Sequence, residues 1–338
     1  MAARKIIMIL IVFSLILTSM TASNIVTNMP GKSFSGPFEP LSAEEQAIQA
    51  RLERHIDKLA GEIGERNLLF PENLSLAAAY IENEISRIKL KPISEDYSVN
   101  NMPAKNIIAE IIGAELPQEY IVVGAHYDTV AGSPGANDNG SGVAALLEIA
   151  GYFNERKPRR TIRFIAFTNE EPPYFLSENM GSRVHAKQCR RRNENIVAMI
   201  SLETIGCYNY GPGSQNYPFP LSYFYPDQGN FVAFVSNMSS RKLVRTAINS
   251  FRKQTKFPSE GVAAPSWIPG IAWSDQWSFW KEGYPAIMVT DTALFRYAHY
   301  HASSDTPNKL SYPEMARVVK GLCQVIDDLA STETSMSR

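Results

Sequence analysis

Cysteine is scarce in this chain: Cys189, Cys207 and Cys323 are the only three in 338 residues. So few thiols exclude a disulfide-framed scaffold and allow at most one bridge, with one thiol left over. An excess of charge of either sign is missing too. Lys and Arg total 33 against 34 Asp and Glu, a net charge of −1. Nothing in that balance argues for nucleic acid as a partner. The basic runs 156–160 and 190–192 are local and read as solvated helix ends and loops. Long apolar runs are also lacking. Ile6 to Leu17, interrupted only by Ser14, falls short of the about 20 residues a membrane span requires. No internal repeat and no break in composition marks a second domain.

Apolar residues are plentiful, at 44%, enough for one large core. Arg4 and Lys5 precede the N-terminal apolar run, and Thr21-Ala22-Ser23 follows it. Residues 1–23 therefore read as an export signal to the periplasm or the extracellular space, with a retained anchor over residues 6–20 as the alternative. No cysteine follows, so a lipoprotein signal is absent. Residues 24–40, rich in Ser, Pro and Gly, read as a linker. Residues 41–335 read as one domain.

Within that domain, period and punctuation predict helices over 42–65, 75–89, 142–153, 177–189, 239–251, 274–282 and 313–329. Ser239 or Ser240 is placed to cap the fifth of these. Runs rich in β-branched residues predict strands over 106–112, 120–125, 161–168, 195–205, 231–236 and 285–290. Strands and helices alternate, which argues for an α/β fold: a mostly parallel, mixed central sheet sandwiched by helices in three layers. The stretches 207–230 and 257–273 read as long loops, candidates for the walls of a substrate pocket.

The chemistry gathers at strand ends, where open α/β sheets place their crevices. His126 and Asp128 close one strand. Two residues apart, they share a face, so the carboxylate can hold the imidazole nitrogen that does not meet a metal. Asp138 follows a Gly/Pro/Ser loop and precedes an apolar helix. It could cap that helix, or offer both oxygens to cations. Glu170 and Glu171 follow the strand TIRFIAFT and project in different directions, one free to bind a metal and the other to face substrate and water. Glu203 ends the strand NIVAMISL, where an acid is rarely buried unless paired or ligating. His301 lies beyond the strand AIMVT, with His299 as its competitor. His55 and His185 sit on predicted helices away from the acids. Two histidines and three carboxylates suit two Zn²⁺ ions sharing one carboxylate, or a single ion.

In GAHYDTV, PGANDNGSGVAALLE, FTNEE, SLETIG and YHASSDTPNKL, occurring in that order, the chain resembles the zinc-dependent exopeptidases of the bacterial leucyl aminopeptidase type. Their domain is shared by transferrin receptor and glutamate carboxypeptidase II. The resemblance covers roughly residues 100–330 and implies a zinc exopeptidase fold of the phosphorylase/hydrolase-like kind. It implies that His126 and Glu203 bind one zinc, Glu171 and His301 the other, and Asp138 both. Glu170 becomes the general base, Asp128 orients His126, and Asp305 sits behind the second metal. The family more often has Asp at the Glu203 position, and His at the position of Gln276 in Ser274-Asp275-Gln276.

The expected reaction is hydrolysis of an N-terminal peptide bond in a peptide substrate. Glutaminyl cyclase chemistry on the same fold, a carboxypeptidase, and a non-catalytic module remain as alternatives. The aromatic loops offer Tyr208, Tyr210, Tyr223, Phe224, Tyr225, Trp267, Trp273 and Trp277 as pocket candidates. Arg296 is a candidate for meeting a substrate carboxylate, or else for pairing with a surface acid.

Overall fold

The computed structural model describes residues 26–331, so the export signal expected over 1–23 lies outside the described residues. Helix α1 (Ala43–Ile56) opens on a capping box, in which Ser42 and Glu45 satisfy each other's backbone amides. It runs on into a wider turn, Asp57–Ile63. Helix α2 spans Pro71–Arg87 and starts four residues before the apolar repeat that predicts it, because Pro71 suits a first helical turn.

Strands β1 (Ile93–Val99), β2 (Met102–Ile111) and β3 (Leu116–His126) follow. The central elements are α3 (Gly142–Phe153), β4 (Arg160–Phe167), α4 (Gly181–Arg191) and β5 (Asn195–Leu202). The chain then forms β6 (Val232–Ser236), α5 (Arg241–Gln254), β7 (Ser259–Ala263) and α6 (Gln276–Lys281). It closes with β8 (Ala286–Thr290) and α7 (Tyr312–Ser331).

All eight strands form one sheet in the order β1-β2-β4-β3-β5-β8-β6-β7. Strands β4, β3, β5 and β8 run parallel, and β2 joins β4 antiparallel. Alternation along the strands separates the faces. Ile121, Val123 and Ala125 join the large cluster that α1, α2, α3, α5 and α7 cover, whereas Val122 joins Ala186 and Cys189 of α4 and Phe279 of α6. These are the three expected layers. Among the described residues, no helix is long and apolar enough to cross a membrane.

Four expectations change. Strand β1 went unread because ISEDYSV is a polar edge strand with only Val99 fully buried. Strand β7 lies inside the stretch read as a loop over 257–273, and its five residues, SEGVA, are short and broken by glycine. Ser240 does not cap α5; its hydroxyl instead accepts the Ala286 amide at 3.2 Å, while Ser239 donates to Asn237. Residues 26–40 are docked on the domain rather than acting as a free linker. Met29 is buried, Phe38 stacks on Phe257 at 5.5 Å, and Arg252 donates to the Pro30 carbonyl at 3.1 Å. The three cysteines are free thiols.

Candidate metal centre

Because β3, β4, β5 and β8 are parallel, their carboxyl ends meet on one edge of the sheet. His126 is the last residue of β3. Glu170 and Glu171 follow β4, Glu203 follows β5, and His301 lies on the loop after β8. Asp138 reaches the same place from the turn before α3; it is joined to Asn139 by a cis peptide. All but His301 are buried, and the His301 side chain is 30% exposed.

The donor atoms meet in two sets. Nε2 of His126 lies 3.2 Å from Oδ1 of Asp138 and 3.2 Å from Oε2 of Glu203. Nε2 of His301 lies 3.1 Å from Oδ2 of Asp138 and 3.1 Å from Oε2 of Glu171. Atoms each bound at about 2.0–2.1 Å to one tetrahedral zinc ion would be about 3.3 Å apart. Asp138 thus turns one oxygen to each set. His126, Asp138 and Glu171 alone already bring ligand atoms within 4.8 Å of one another.

The hydrogen bonds show why these atoms fit a cation. Nδ1 of His126 faces the Asp128 carbonyl at 3.2 Å and Oδ1 of Asp128 at 3.4 Å, which puts the ring proton on Nδ1. Its Nε2 is then aimed at carboxylate oxygens, a place that calls for a cation, either a proton or a metal ion. Nε2 of His126, both oxygens of Asp138, Oε1 of Glu171 and Nε2 of His301 are buried without hydrogen-bond partners. Orphaned buried polar atoms are rare in folded proteins, and here they converge.

Burial and crowding act on the titrations. Burial alone would keep His126 neutral, but Glu203, Asp128 and Asp138 raise its pKa well above the ordinary value. His301, likewise opposed by burial, is pushed up to about 10 by Asp138 and Glu171. Burial and the Asp138 charge push Glu171 up to about 7. Burial raises Glu170 well above the carboxylate range, against the pull of His126 and with help from Glu203. Burial opposes charge on Asp138 as well, yet the two imidazoles lower its pKa.

Hydrogen bonds from neighbouring groups hold these side chains in place. Besides facing His126, Asp128 accepts the backbone amides of Glu170 and Glu171 at 3.1 and 3.2 Å, so it ties the ends of β3 and β4 together. Ser274 donates to Oε2 of Glu203 at 2.8 Å. Asp305 accepts the amides of Asn137 and Asp138 at 2.8 and 3.1 Å. Asp291 accepts from Asn137, Thr204 and the Cys207 amide. Asp138 caps nothing; Asn139 accepts the Gly142 amide at 3.0 Å in its place. Asp291 was missed although it too ends an apolar strand.

An apolar cavity opens beside Glu203, between that residue and the sheet edge, walled by Tyr225, Val262, Ile271, Trp273 and Met288 among others. Two of the expected pocket residues, Tyr225 and Trp273, are therefore in its wall. Two others are corrected. Trp277 lies on α6 outside the wall, with Lys281 over its ring at 5.7 Å. Arg296 is also outside the wall. Its guanidinium binds Gln215 at 2.8 Å and the carbonyls of Cys207 and Phe231 at 3.0 and 2.8 Å, so it pairs with no surface acid. Tyr208 packs beneath, against Phe257, while Tyr223, Phe224 and Trp267 are exposed.

Elsewhere, Cys189, His185 and Glu95 are aligned as thiol, imidazole and carboxylate at 3.2 and 3.0 Å. The thiol is fully buried, and burial with Glu194 beside it raises its pKa far from thiolate formation. That network is structural.

Fold and site together define an α/β sandwich with a buried carboxylate–histidine centre at its strand ends. The chain belongs to Peptidase family M28, whose model matches residues 106–326. It is 36% identical over 294 residues to the uncharacterized protein YfbL of Escherichia coli, a match covering 84% of this chain and 90% of that protein. Its fold is similar to BSAP, a zinc aminopeptidase from Bacillus subtilis, with a TM-score of 0.66 and 14% identity over 86% of this chain and 97% of that one. It is also similar to Fimbriiglobus ruber glutaminyl cyclase, with a TM-score of 0.62 and 18% identity over 88% and 98% of the two chains.

Proposed function

We propose that this protein is a zinc-dependent aminopeptidase whose centre holds two Zn²⁺ ions. The observation that carries the proposal is Asp138, which stands between two His–carboxylate pairs with both oxygens otherwise unpartnered. His126 and Glu203 would hold one ion, His301 and Glu171 the other, and Asp138 both. Bound zinc would lower the pKa of water and polarise the scissile carbonyl.

The remaining work falls to the chain. Glu170 sits 3.9 Å from Nε2 of His126 with a carboxylate that ligates nothing in this scheme. Bound dications would oppose the burial and the Glu203 charge that raise its pKa, and leave it ionised to take the water proton and pass it to the leaving amine. Asp128 keeps the His126 ring oriented. The apolar cavity receives the side chain of the N-terminal residue. Its wall includes no Lys or Arg, which disfavours a substrate carboxylate. We also propose that the enzyme works outside the cytoplasm, on the strength of the N-terminal charge and apolar run.

The test is a panel of aminoacyl amides and a glutaminyl peptide, with zinc measured by elemental analysis. Release of free amino acids by a protein carrying two zinc ions per chain supports the proposal. Loss of ammonia from the glutaminyl peptide without amino-acid release replaces it with cyclisation, the second reading that the likeness to the Fimbriiglobus enzyme favours.

A further inference from the structure

Arg66 lies behind the acid cluster, with no side-chain exposure to solvent. Its guanidinium touches no carboxylate. All five of its hydrogen bonds go to backbone carbonyls. Nε donates to Tyr127 at 2.7 Å; Nη1 donates to Leu59, Gly64 and Pro134 at 3.2, 3.1 and 2.6 Å; Nη2 donates to Gly135 at 2.9 Å. The main chain of Arg66 adds a reciprocal pair with Thr129, amide to hydroxyl at 3.1 Å and Thr129 amide to carbonyl at 3.0 Å.

Three of those carbonyls belong to the loop that joins His126 to Asp138. Tyr127 immediately follows His126. Pro134 and Gly135 introduce the turn that carries Asp138. Gly135 is left-handed at φ +63°, and a Cβ there would lie 2.4 Å from the Asp138 carbonyl oxygen and 3.3 Å from Nη2 of Arg66. The loop is wound tightly around the guanidinium. A planar fork can hold several carbonyls in fixed relative positions, which an ammonium cannot.

We propose that Arg66 is a positioning residue for the metal centre: by clasping both stems of the 127–135 loop, it sets the spacing between His126 and Asp138. The proposal rests on the reading of this cluster as a zinc site. Electrostatics makes its test sharp. The carboxylates of Asp305, Asp128, Asp138 and Glu171 all act on the Arg66 charge, and burial with those charges around it leaves its pKa at about 10. Removing a positive charge from beside four carboxylates would by itself tighten the hold on a cation. Loss of positioning predicts the opposite sign.

The experiment measures zinc affinity of the folded full-length protein by competition with a chelating dye, with kcat and KM alongside. Arg66→Lys keeps the charge and loses the fork, while Arg66→Gln loses both. Each should bind zinc at least tenfold more weakly, in the range found for outer-shell partners of metal ligands, with kcat falling and KM nearly constant. Thr129→Val removes only the hydroxyl that receives the Arg66 amide, and should weaken zinc severalfold. An Arg66→Gln protein that binds zinc as tightly as the parent, or more tightly, overturns the proposal. So do variants that melt earlier but whose folded fraction binds zinc like the parent. Should the Arg66 variants fail to fold, Thr129→Val decides: weaker zinc binding supports the proposal, and unchanged binding overturns it. A parent protein that binds no zinc is a different result and removes the metal-centre reading itself.

Discussion

Asp138 presents Oδ1 to Nε2 of His126 at 3.2 Å and Oδ2 to Nε2 of His301 at 3.1 Å. No other side chain described at the centre faces both imidazoles so closely. Asp138→Asn keeps the shape but places an amide N–H₂ against one of the two imidazole nitrogens. The zinc content should drop by at least one ion per chain. Turnover should fall by more than the 10–100-fold typical of outer-shell changes. The metal-free variant should melt lower than the metal-free parent at pH 7, because the two imidazoles hold the Asp138 carboxylate below its ordinary pKa and that stabilisation leaves with the charge. Elemental analysis, steady-state kinetics and calorimetry on the same samples check all three outcomes.

Glu170 and Glu171 are neighbours in the chain whose side chains face different groups. Glu171 faces His301 at 3.1 Å, whereas Glu170 stays 3.9 Å from His126. Glu170→Gln should therefore retain the parent's zinc and lose roughly 10²–10⁴ in kcat, the range for a general base. A metal-replete Glu170→Gln protein with full turnover would remove Glu170 from the proton transfer.

His126, Glu170, Glu171 and Glu203 were legible because each stands where an apolar run stops, whereas Asp138 lies on a turn and His301 on a loop. A carboxylate or imidazole after VVGA, IAFT or AMISL needs a partner, and successive parallel strands bring their ends to one edge. The supporting shell was harder to read. Arg66 lies between two predicted helices, flanked by Glu65 and Asn67 as a surface arginine would be, and its partners are carbonyls, which sequence does not distinguish. Arg296 misled for a similar reason: its nearness to His301 along the chain says nothing of Gln215, Cys207 and Phe231, which claim its guanidinium in space. Strand β1 escaped because its stability comes from pairing with β2 along Ile93 to Val99 rather than from an apolar face.

Glu194 provides a titration away from the centre. Burial opposes its charge, but Arg163 at 2.6 Å and Arg192 at 2.8 Å bring its pKa down to about 2. A carboxylate depressed on folding stabilises the protein above its unfolded pKa, near 4.5, and that contribution disappears as pH falls toward 2. Glu194→Gln should therefore lower stability at pH 7 by roughly 1–2 kcal/mol, allowing for solvent screening. The gap between the two proteins should narrow steadily below pH 4.5. Melting curves from pH 7 to pH 3 test this. A gap that does not change with pH would show that the ion pairs contribute nothing.

Ala233 tests the cavity. It lies on β6, paired with Thr290 of β8 and Glu260 of β7, and its face lines the cavity beside the centre. Ala233→Leu would send three extra carbon atoms into open space rather than into packed core, so the penalty for overpacking is small. The volume removed is volume a substrate side chain would use. A change of about one methylene in an apolar pocket shifts discrimination by roughly 10–200-fold. The ratio of kcat/KM for leucyl over alanyl amide should therefore fall at least tenfold. Zinc content and melting temperature should stay close to the parent's. A ratio that does not move, in a variant that folds and binds zinc normally, would mean that the N-terminal side chain sits elsewhere and that this cavity serves another part of the substrate.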